Sequence, residues 1–374
     1  MSKLVSRFLV LVTLCFLAAC ADRPGPEFLH SPATTAPGTR TVTIYVATTR
    51  ERDPNDSRAF TSGRADKVTY AEYTISIPPS HKPGNIEWPT RLVDPAKDFA
   101  VTNYRELEPT DFAREVAKPH NGAPPDIGVF VHGFNNNFQE SLFRMAQMTA
   151  DANVEGGSSV LFAWPSEGQV TGYVSDKDAV TYSRDQLAEL LTMLAKMKTR
   201  GDITVIGHSM GGWLTTEAVR QLRLTGKNGV VARLNVILAA PDIDVDVFKA
   251  QMEVIGPLSP PMTILVSSDD LALRASEFLT GERARIGKLD VNDPRVEEAT
   301  KKAGVMVVDI SSLDAPDELK HGRFAELATL YPKLAKLNQS KVSLRQTGAF
   351  VLNAVGATLS SPFVLAGKVV GAGQ

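Results

Sequence analysis

Cysteine, histidine and net charge are all scarce in this 374-residue chain, and each shortage excludes something. The two cysteines, Cys15 and Cys20, sit together near the amino terminus, so no internal disulfide can brace the rest of the chain. The six histidines, His30, His81, His120, His132, His208 and His321, are scattered, and neither C-x-x-C nor H-E-x-x-H occurs. Metal ligands at the usual spacings are therefore lacking, and we expect neither a metal nor another cofactor. With 40 basic and 42 acidic side chains the net charge is −2, so the basic footprint of a nucleic-acid partner is missing too. No internal repeat is evident. What remains, 43% hydrophobic and 22% charged residues, suits one large domain with flanking segments.

Against that background one pentapeptide stands out. Gly207-His208-Ser209-Met210-Gly211 follows the apolar run Ile203-Thr204-Val205-Ile206 and precedes a helical pattern. The order strand, sharp turn, helix is what a nucleophile elbow requires, because the turn lifts the serine hydroxyl above the strand end. Small residues at 207, 211 and 212 keep the tight crossing free of Cβ atoms.

A hydroxyl nucleophile needs a base that is neutral near pH 7, and a carboxylate to orient that base. After Ser209 the chain has one histidine, His321, in a loop beyond the apolar stretch 305–310. The acid belongs at a strand end between them. Met262-Thr263-Ile264-Leu265-Val266 ends in Ser267-Ser268-Asp269-Asp270, where one residue of slip decides which carboxylate faces the site. Asp270 is favoured, and Asp242, after the apolar run 235–238, is the runner-up. Carboxylates before Leu271 also suit a helix amino terminus, and adjacent residues can serve both ends. For the oxyanion, Met210 N–H is the first donor, and Phe134 N–H, in the turn His132-Gly133-Phe134-Asn135 after the run 127–131, is the second. His132 reads as a structural residue beneath that turn.

The periodicities predict strands at 42–48, 70–77, 127–132, 159–164, 203–207, 233–239, 262–267 and 305–310, with residues 51–68 a polar loop. Helices are predicted at 138–151, 178–198 and 209–224, the second turning Leu187, Leu190, Leu191, Leu194 and Met197 to the core. Alternating strands and helices imply an α/β fold, a mostly parallel eight-stranded sheet covered on both faces, with its site at the strands' carboxyl ends.

These segments together resemble an α/β-hydrolase, and specifically a bacterial α/β-hydrolase family long catalogued as a domain of unknown function. The resemblance runs through Ile44-Tyr45-Val46-Ala47-Thr48-Thr49-Arg50, Ile75-Ser76-Ile77-Pro78-Pro79-Ser80-His81, Val131-His132-Gly133-Phe134-Asn135, Phe162-Ala163-Trp164-Pro165-Ser166, the elbow, and Ala240-Pro241-Asp242-Ile243-Asp244. It implies a Ser-Asp-His triad and leaves the substrate open.

The amino terminus carries a second signal. Lys3 and Arg7 precede an apolar run from Phe8 to Leu17, too short to span a bilayer comfortably but suited to a signal-peptide core. It ends in Leu17-Ala18-Ala19-Cys20, which resembles the bacterial lipoprotein cleavage box. By that resemblance Cys20 becomes the lipidated first residue of the mature protein. The expected division is 1–19 signal peptide, 20–40 lipidated cysteine and flexible tether, 41–335 hydrolase domain and 336–374 apolar carboxyl-terminal segment. Within the last, Asn353, Ser360, Ser361, Pro362 and Lys368 weaken any membrane-spanning reading.

The expected protein is thus a serine hydrolase acting on an ester, thioester or amide of a small acyl substrate. It is expected to be anchored by lipid at the envelope; by resemblance to lipoprotein sorting in Gram-negative bacteria, where an aspartate directly after the lipidated cysteine favours the inner membrane, Asp22 one place further on implies the outer membrane, facing the periplasm. The alternative is a catalytically idle hydrolase fold used as an envelope binding module, against which an intact elbow, His-Gly turn and late histidine argue together.

Overall fold

The computed structural model describes residues 23–326 apart from 31–34, 90–91, 120–123, 153–155, 198–200 and 316. The signal peptide, Cys20 and the carboxyl-terminal apolar segment lie outside the described residues.

Among the described residues nine strands form one sheet: β1 (Arg40–Asp53), β2 (Asp56–Ile77), β3 (Ala100–Leu107), β4 (Ile127–Val131), β5 (Ser158–Ala163), β6 (Ile203–His208), β7 (Leu234–Ala239), β8 (Thr263–Val266) and β9 (Met306–Asp309). Their spatial order is β3-β2-β1-β5-β4-β6-β7-β8-β9. Only β2 runs against its neighbours, and every pairing from β1 to β9 through β5 and β4 is parallel. This is the mostly parallel α/β sheet the periodicities predict, and the architecture the α/β-hydrolase resemblance implies, with one strand more than expected.

Two differences from the expectation have physical reasons. Residues 51–68 are not a loop. They continue β1 and open β2 around a turn at Pro54-Asn55, pairing Arg50 with Arg64 and Arg52 with Phe60. Apart from buried Ala59 and Phe60 the residues of this hairpin are exposed or half-buried, so it carries no apolar alternation to betray a strand. The additional strand, β3, is the sheet's edge and buries only its ends, so its middle reads as polar.

Among the described residues the helices longer than a single turn are α1 (Pro109–Val116), α2 (Phe138–Ala152), α3 (Tyr173–Lys196), α4 (Met210–Leu224), α5 (Val245–Ile255), α6 (Leu271–Leu279) and α7 (Pro294–Ala303). Alternate residues of the central strands feed two cores, one on each face. Val129, Val131, Val160 and Phe162 pack with Leu187, Leu190, Leu191 and Leu194 of α3 and with Leu214 and Val219 of α4. Phe130, Leu161 and Ala163 pack with Phe138, Leu142 and Phe143 of α2. The leucines of α3 are all fully buried, and truncating one such side chain to alanine costs roughly 2–5 kcal/mol. A sheet this firmly held on both sides fixes the carboxyl ends of β4, β6, β8 and β9 relative to one another.

The tether expected at 20–40 is not free along its described part. Pro26–Leu29 forms a single 3-10 turn, and Leu29 is fully buried against the α2 face. The Arg23 guanidinium donates to Asn135 Oδ1 (2.7 Å), Asn135 O (2.6 Å), Gly168 O and the Glu140 carboxylate. Asn137 Nδ2 donates to Pro24 O at 2.9 Å. Proline and small polar residues gave this stretch the composition of a linker, whereas its acceptors lie more than a hundred residues away.

Candidate active site

Ser209 sits between the end of β6 and the first turn of α4 with φ 55° and ψ −122°, a conformation costly for any residue bearing a Cβ. The neighbours enforce it. Ser209 N–H donates to Ala239 O at 3.0 Å, while Ser209 O accepts from Gly212 N (2.9 Å) and Asp242 N (3.2 Å). Gly211 must be glycine here, because a Cβ would run into the carbonyl oxygens of Val131 and His132 at the end of β4. On the other side a Cβ on Gly133 would meet His208 Nδ1 at 2.9 Å and Ser209 Cβ at 3.0 Å, so the 132–135 turn lies directly against the serine. Met210 is the first residue of α4 and is buried, its N–H among the unpaired donors of a helix amino terminus. Phe134 follows Gly133 in the apposed turn and packs edge-on against Tyr173, ring centres 5.3 Å apart.

His321 and Asp270 meet. His321 Nδ1 lies 2.6 Å from Asp270 Oδ2, and the Asp270 side chain is completely buried. Asp270 is also the N-cap of α6, its Oδ1 accepting from Leu273 N at 2.9 Å, so the capping and pairing expected of adjacent residues fall on one carboxylate. Burial opposes a charged imidazole at 321, but the hydrogen bond and charge of Asp270, with Asp242 and Asp317 beyond, outweigh it and raise the pKa above 6.5. The loop itself is held by Asp317, whose carboxylate accepts from the backbone of His321 (3.1 Å) and Gly322 (2.6 Å). His208, next to the serine, donates from Nε2 to His321 O at 3.2 Å, and the two rings lie 4.6 Å apart. Burial, then the charge of His321, lowers the His208 pKa well below its ordinary value, so that ring is a neutral prop.

The other two aspartates face different partners. Asp269 pairs with Arg323 and, at 2.9 Å, with Lys320, and the Arg323 hydrogen bond leads in lowering its pKa. Asp242 accepts from Ser276 Oγ (2.6 Å) and Tyr173 OH (3.0 Å) and forms a buried ion pair with Arg285 (3.2 Å). Burial first, and Asp242 second, push the Tyr173 phenol up to about 12. His132 is fully buried, stacked on Trp164 at 4.9 Å, with ring nitrogens 2.9 Å from Gly133 O and 3.0 Å from Trp164 O. Burial, aided by Arg50, pushes its pKa down to about 3. It is a structural residue under the turn.

Sequence reasoning missed the platform beneath that turn. Arg50 is 1% exposed and donates to Ser166 O (3.1 Å), Thr61 O (3.1 Å) and Asn136 O (2.8 Å). Buried Asp176 accepts from Ser166 Oγ (2.6 Å), Glu167 N (2.7 Å) and, more weakly, Asn135 N (3.4 Å). Arg50 and Ser166 end two of the segments behind the family resemblance, whereas nothing in the local pattern around Asp176 marks it.

Fold and site define an α/β hydrolase. A family model for an alpha/beta hydrolase of unknown function (DUF900) matches residues 108–339, and the chain belongs to that family. It is similar to an uncharacterized protein of Nostoc sp., 39% identical over 61 residues that make up 16% of each chain. Among solved structures it is similar to one from a study of two fungal esterases of Rhizomucor miehei. That match is 12% identical, with a TM-score of 0.33, covering 80% of this chain and 86% of that one.

Proposed function

We propose that this α/β hydrolase is a serine hydrolase, cleaving an ester, thioester or amide through an acyl-enzyme on Ser209. The observation that carries the reading is the 2.6 Å contact between His321 and the buried Asp270 carboxylate, on the same sheet edge as a serine held at positive φ. His321 Nε2 takes the Ser209 proton as Oγ attacks the acyl carbon. Charge moves to the carbonyl oxygen, where the N–H groups of Met210 and Phe134 receive it, each such donor contributing roughly 10²–10³ in rate. Collapse breaks the bond to the leaving group, which takes the proton from His321. Water then attacks the acyl-enzyme by the same route, releasing the acid and restoring Ser209. Asp270 holds the Nδ1–H tautomer and stabilises the imidazolium that forms.

We further propose that the chain is exported and anchored by lipid on Cys20, at the outer membrane facing the periplasm, a reading supported by the Leu17-Ala18-Ala19-Cys20 box. A fluorophosphonate probe tests the first claim. Ser209→Ala should lose labelling and esterase turnover while its thermal unfolding stays nearly unchanged, and full labelling of that variant sinks the elbow assignment. Mass spectrometry of the mature amino terminus tests the second. An acylated Cys20 is expected, and an unmodified Cys20 or Ala21 at that end removes the anchor.

A further inference from the structure

We infer that the mouth of the active site is a bilayer-docking surface, and that the substrate is an acyl ester of a membrane lipid, drawn directly from the bilayer. The inference rests on the hydrolase and lipid-anchor readings above and deepens both.

The anchor point comes first. Arg23 is fastened to Asn135, Gly168 and Glu140, the first of which follows Phe134 in the turn against Ser209. Two residues, Ala21 and Asp22, separate Cys20 from Arg23, so the three steps span about 11 Å at most when fully extended. A lipid on Cys20 therefore cannot hold the domain at a distance. It draws the face bearing Gly168 and the oxyanion turn down to the membrane surface.

That face is apolar where it needs to be. Val170, two residues beyond Gly168, is 69% exposed, and Val174 in the first turn of α3 is 74% exposed. Between them Tyr173 reaches across to Ser276 of α6, its hydroxyl 2.9 Å from Ser276 Oγ. Two residues past Ser276, Phe278 and then Leu279 are 75% and 64% exposed. On the third side Leu319, whose carbonyl accepts from Leu271 N at 3.0 Å, is exposed two residues before His321. Each patch thus adjoins, in sequence, a residue of the site or its wall. Large apolar side chains left in water beside a site mark an interaction surface. The leash and the apolar side chains meet at Gly168, which accepts from Arg23 and lies two residues before exposed Val170. An ester held at that surface can then reach Ser209 with its acyl chain never crossing water.

The test uses the full-length anchored protein reconstituted in phosphatidylethanolamine–phosphatidylglycerol vesicles. Because the lipid occupies Cys20, Phe278→Cys and Leu224→Cys each introduce one free thiol for a fluorophore. Leu224 ends α4, whose 15 residues put it about 22 Å from the serine end. Brominated lipid should quench the label at 278 at least threefold more than the label at 224, and equal quenching overturns the docking. This readout does not depend on catalysis. Separately, the double variant Val174→Asp, Phe278→Ser should lower turnover of a long-chain fluorogenic ester in the vesicles at least tenfold. Turnover of a soluble short-chain ester should stay within twofold. A parallel fall on both esters, or on neither, overturns the lipid-substrate claim. A detergent-solubilised dimer dispersed by the same double variant would instead put a second copy on this face, and would also overturn it. If the parent protein turns over neither ester and Ser209 takes no probe, the hydrolase reading fails, while the quenching result still decides the docking.

Discussion

Asparagine at position 270 would keep one hydrogen bond and reverse another. The Asp270 carboxylate caps α6 through Oδ1, 2.9 Å from Leu273 N, and faces His321 through Oδ2 at 2.6 Å. An asparagine carbonyl can still accept from Leu273, so the cap survives. Its amide then donates toward His321 Nδ1, which forces the ring proton onto Nε2 and removes the lone pair that must take the Ser209 proton. Replacing the orienting carboxylate in a comparable triad lowers kcat by about 10⁴. At 1.36 kcal/mol per decade that is roughly 5 kcal/mol of barrier. Asp270→Ala should lose similar activity and, in addition, about 1 kcal/mol of stability with the cap. The contrast between the two variants separates orientation from folding. Asp269→Asn should cost far less activity, because Asp269 is engaged with Arg323 and Lys320, and so should Asp242→Asn, whose carboxylate meets Tyr173, Ser276 and Arg285. The assay is hydrolysis of a soluble fluorogenic ester, scaled to the sites a fluorophosphonate titrates, with urea unfolding run on each variant. A loss below tenfold for Asp270→Asn, or a larger one for Asp242→Asn, refutes the assignment.

The pH dependence carries its own sign. Because His321 has its pKa raised above 6.5 and must be neutral to act as base, kcat/KM should rise with pH through a value above 6.5, and the proton held at 321 stabilises the fold below that window and ceases to as pH climbs through it. His81, its pKa also raised against burial by hydrogen bonds to Asp151 and Glu87, adds stability of the same sign without touching the site. Activity should therefore increase over a range where urea stability declines, and a limb at or below 6.5 would contradict the Asp270–His321 pairing. Asp176→Asn should slow kcat by roughly 10² with KM little changed, since Asp176 steadies the turn that presents Phe134 N–H, the loss being bounded by that of one oxyanion donor. A change confined to KM would show that Asp176 shapes binding and not the oxyanion turn.

How much of this was legible beforehand follows from whether a signal is local. The strand, turn and helix around Ser209 are written in consecutive residues, as is the apolar run leading to Asp270. His321 was found by scarcity, as the one histidine after the elbow. The choice among Asp269, Asp270 and Asp242 was not decidable from spacing, because it depends on which carboxylate the α6 turn aims inward. Hairpin residues 51–68 were misread because pairing with β1, and not any apolar alternation of their own, makes them strand. Residues 23–30 read as tether because a guanidinium finds its acceptors at Asn135, Glu140 and Gly168 only after the chain has folded.

Arg50 shows the same limit from the inside of the molecule. In sequence it is the polar end of an apolar run. In the fold it is a buried cation that three backbone carbonyls converge on, one of them from Asn136 and another from Ser166. Burial lowers its pKa only to about 10, with the charges of Asp176 and Glu140 working against that, so it remains charged at neutral pH. A fixed positive charge under the turn does two things at once. It satisfies carbonyls that would otherwise be buried unpaired, each such orphan costing about 1–3 kcal/mol. It also keeps His132 neutral, since burial and this cation together disfavour the imidazolium. The turn apposed to Ser209 is thereby held from below by a permanent charge, while its own His132 stays neutral.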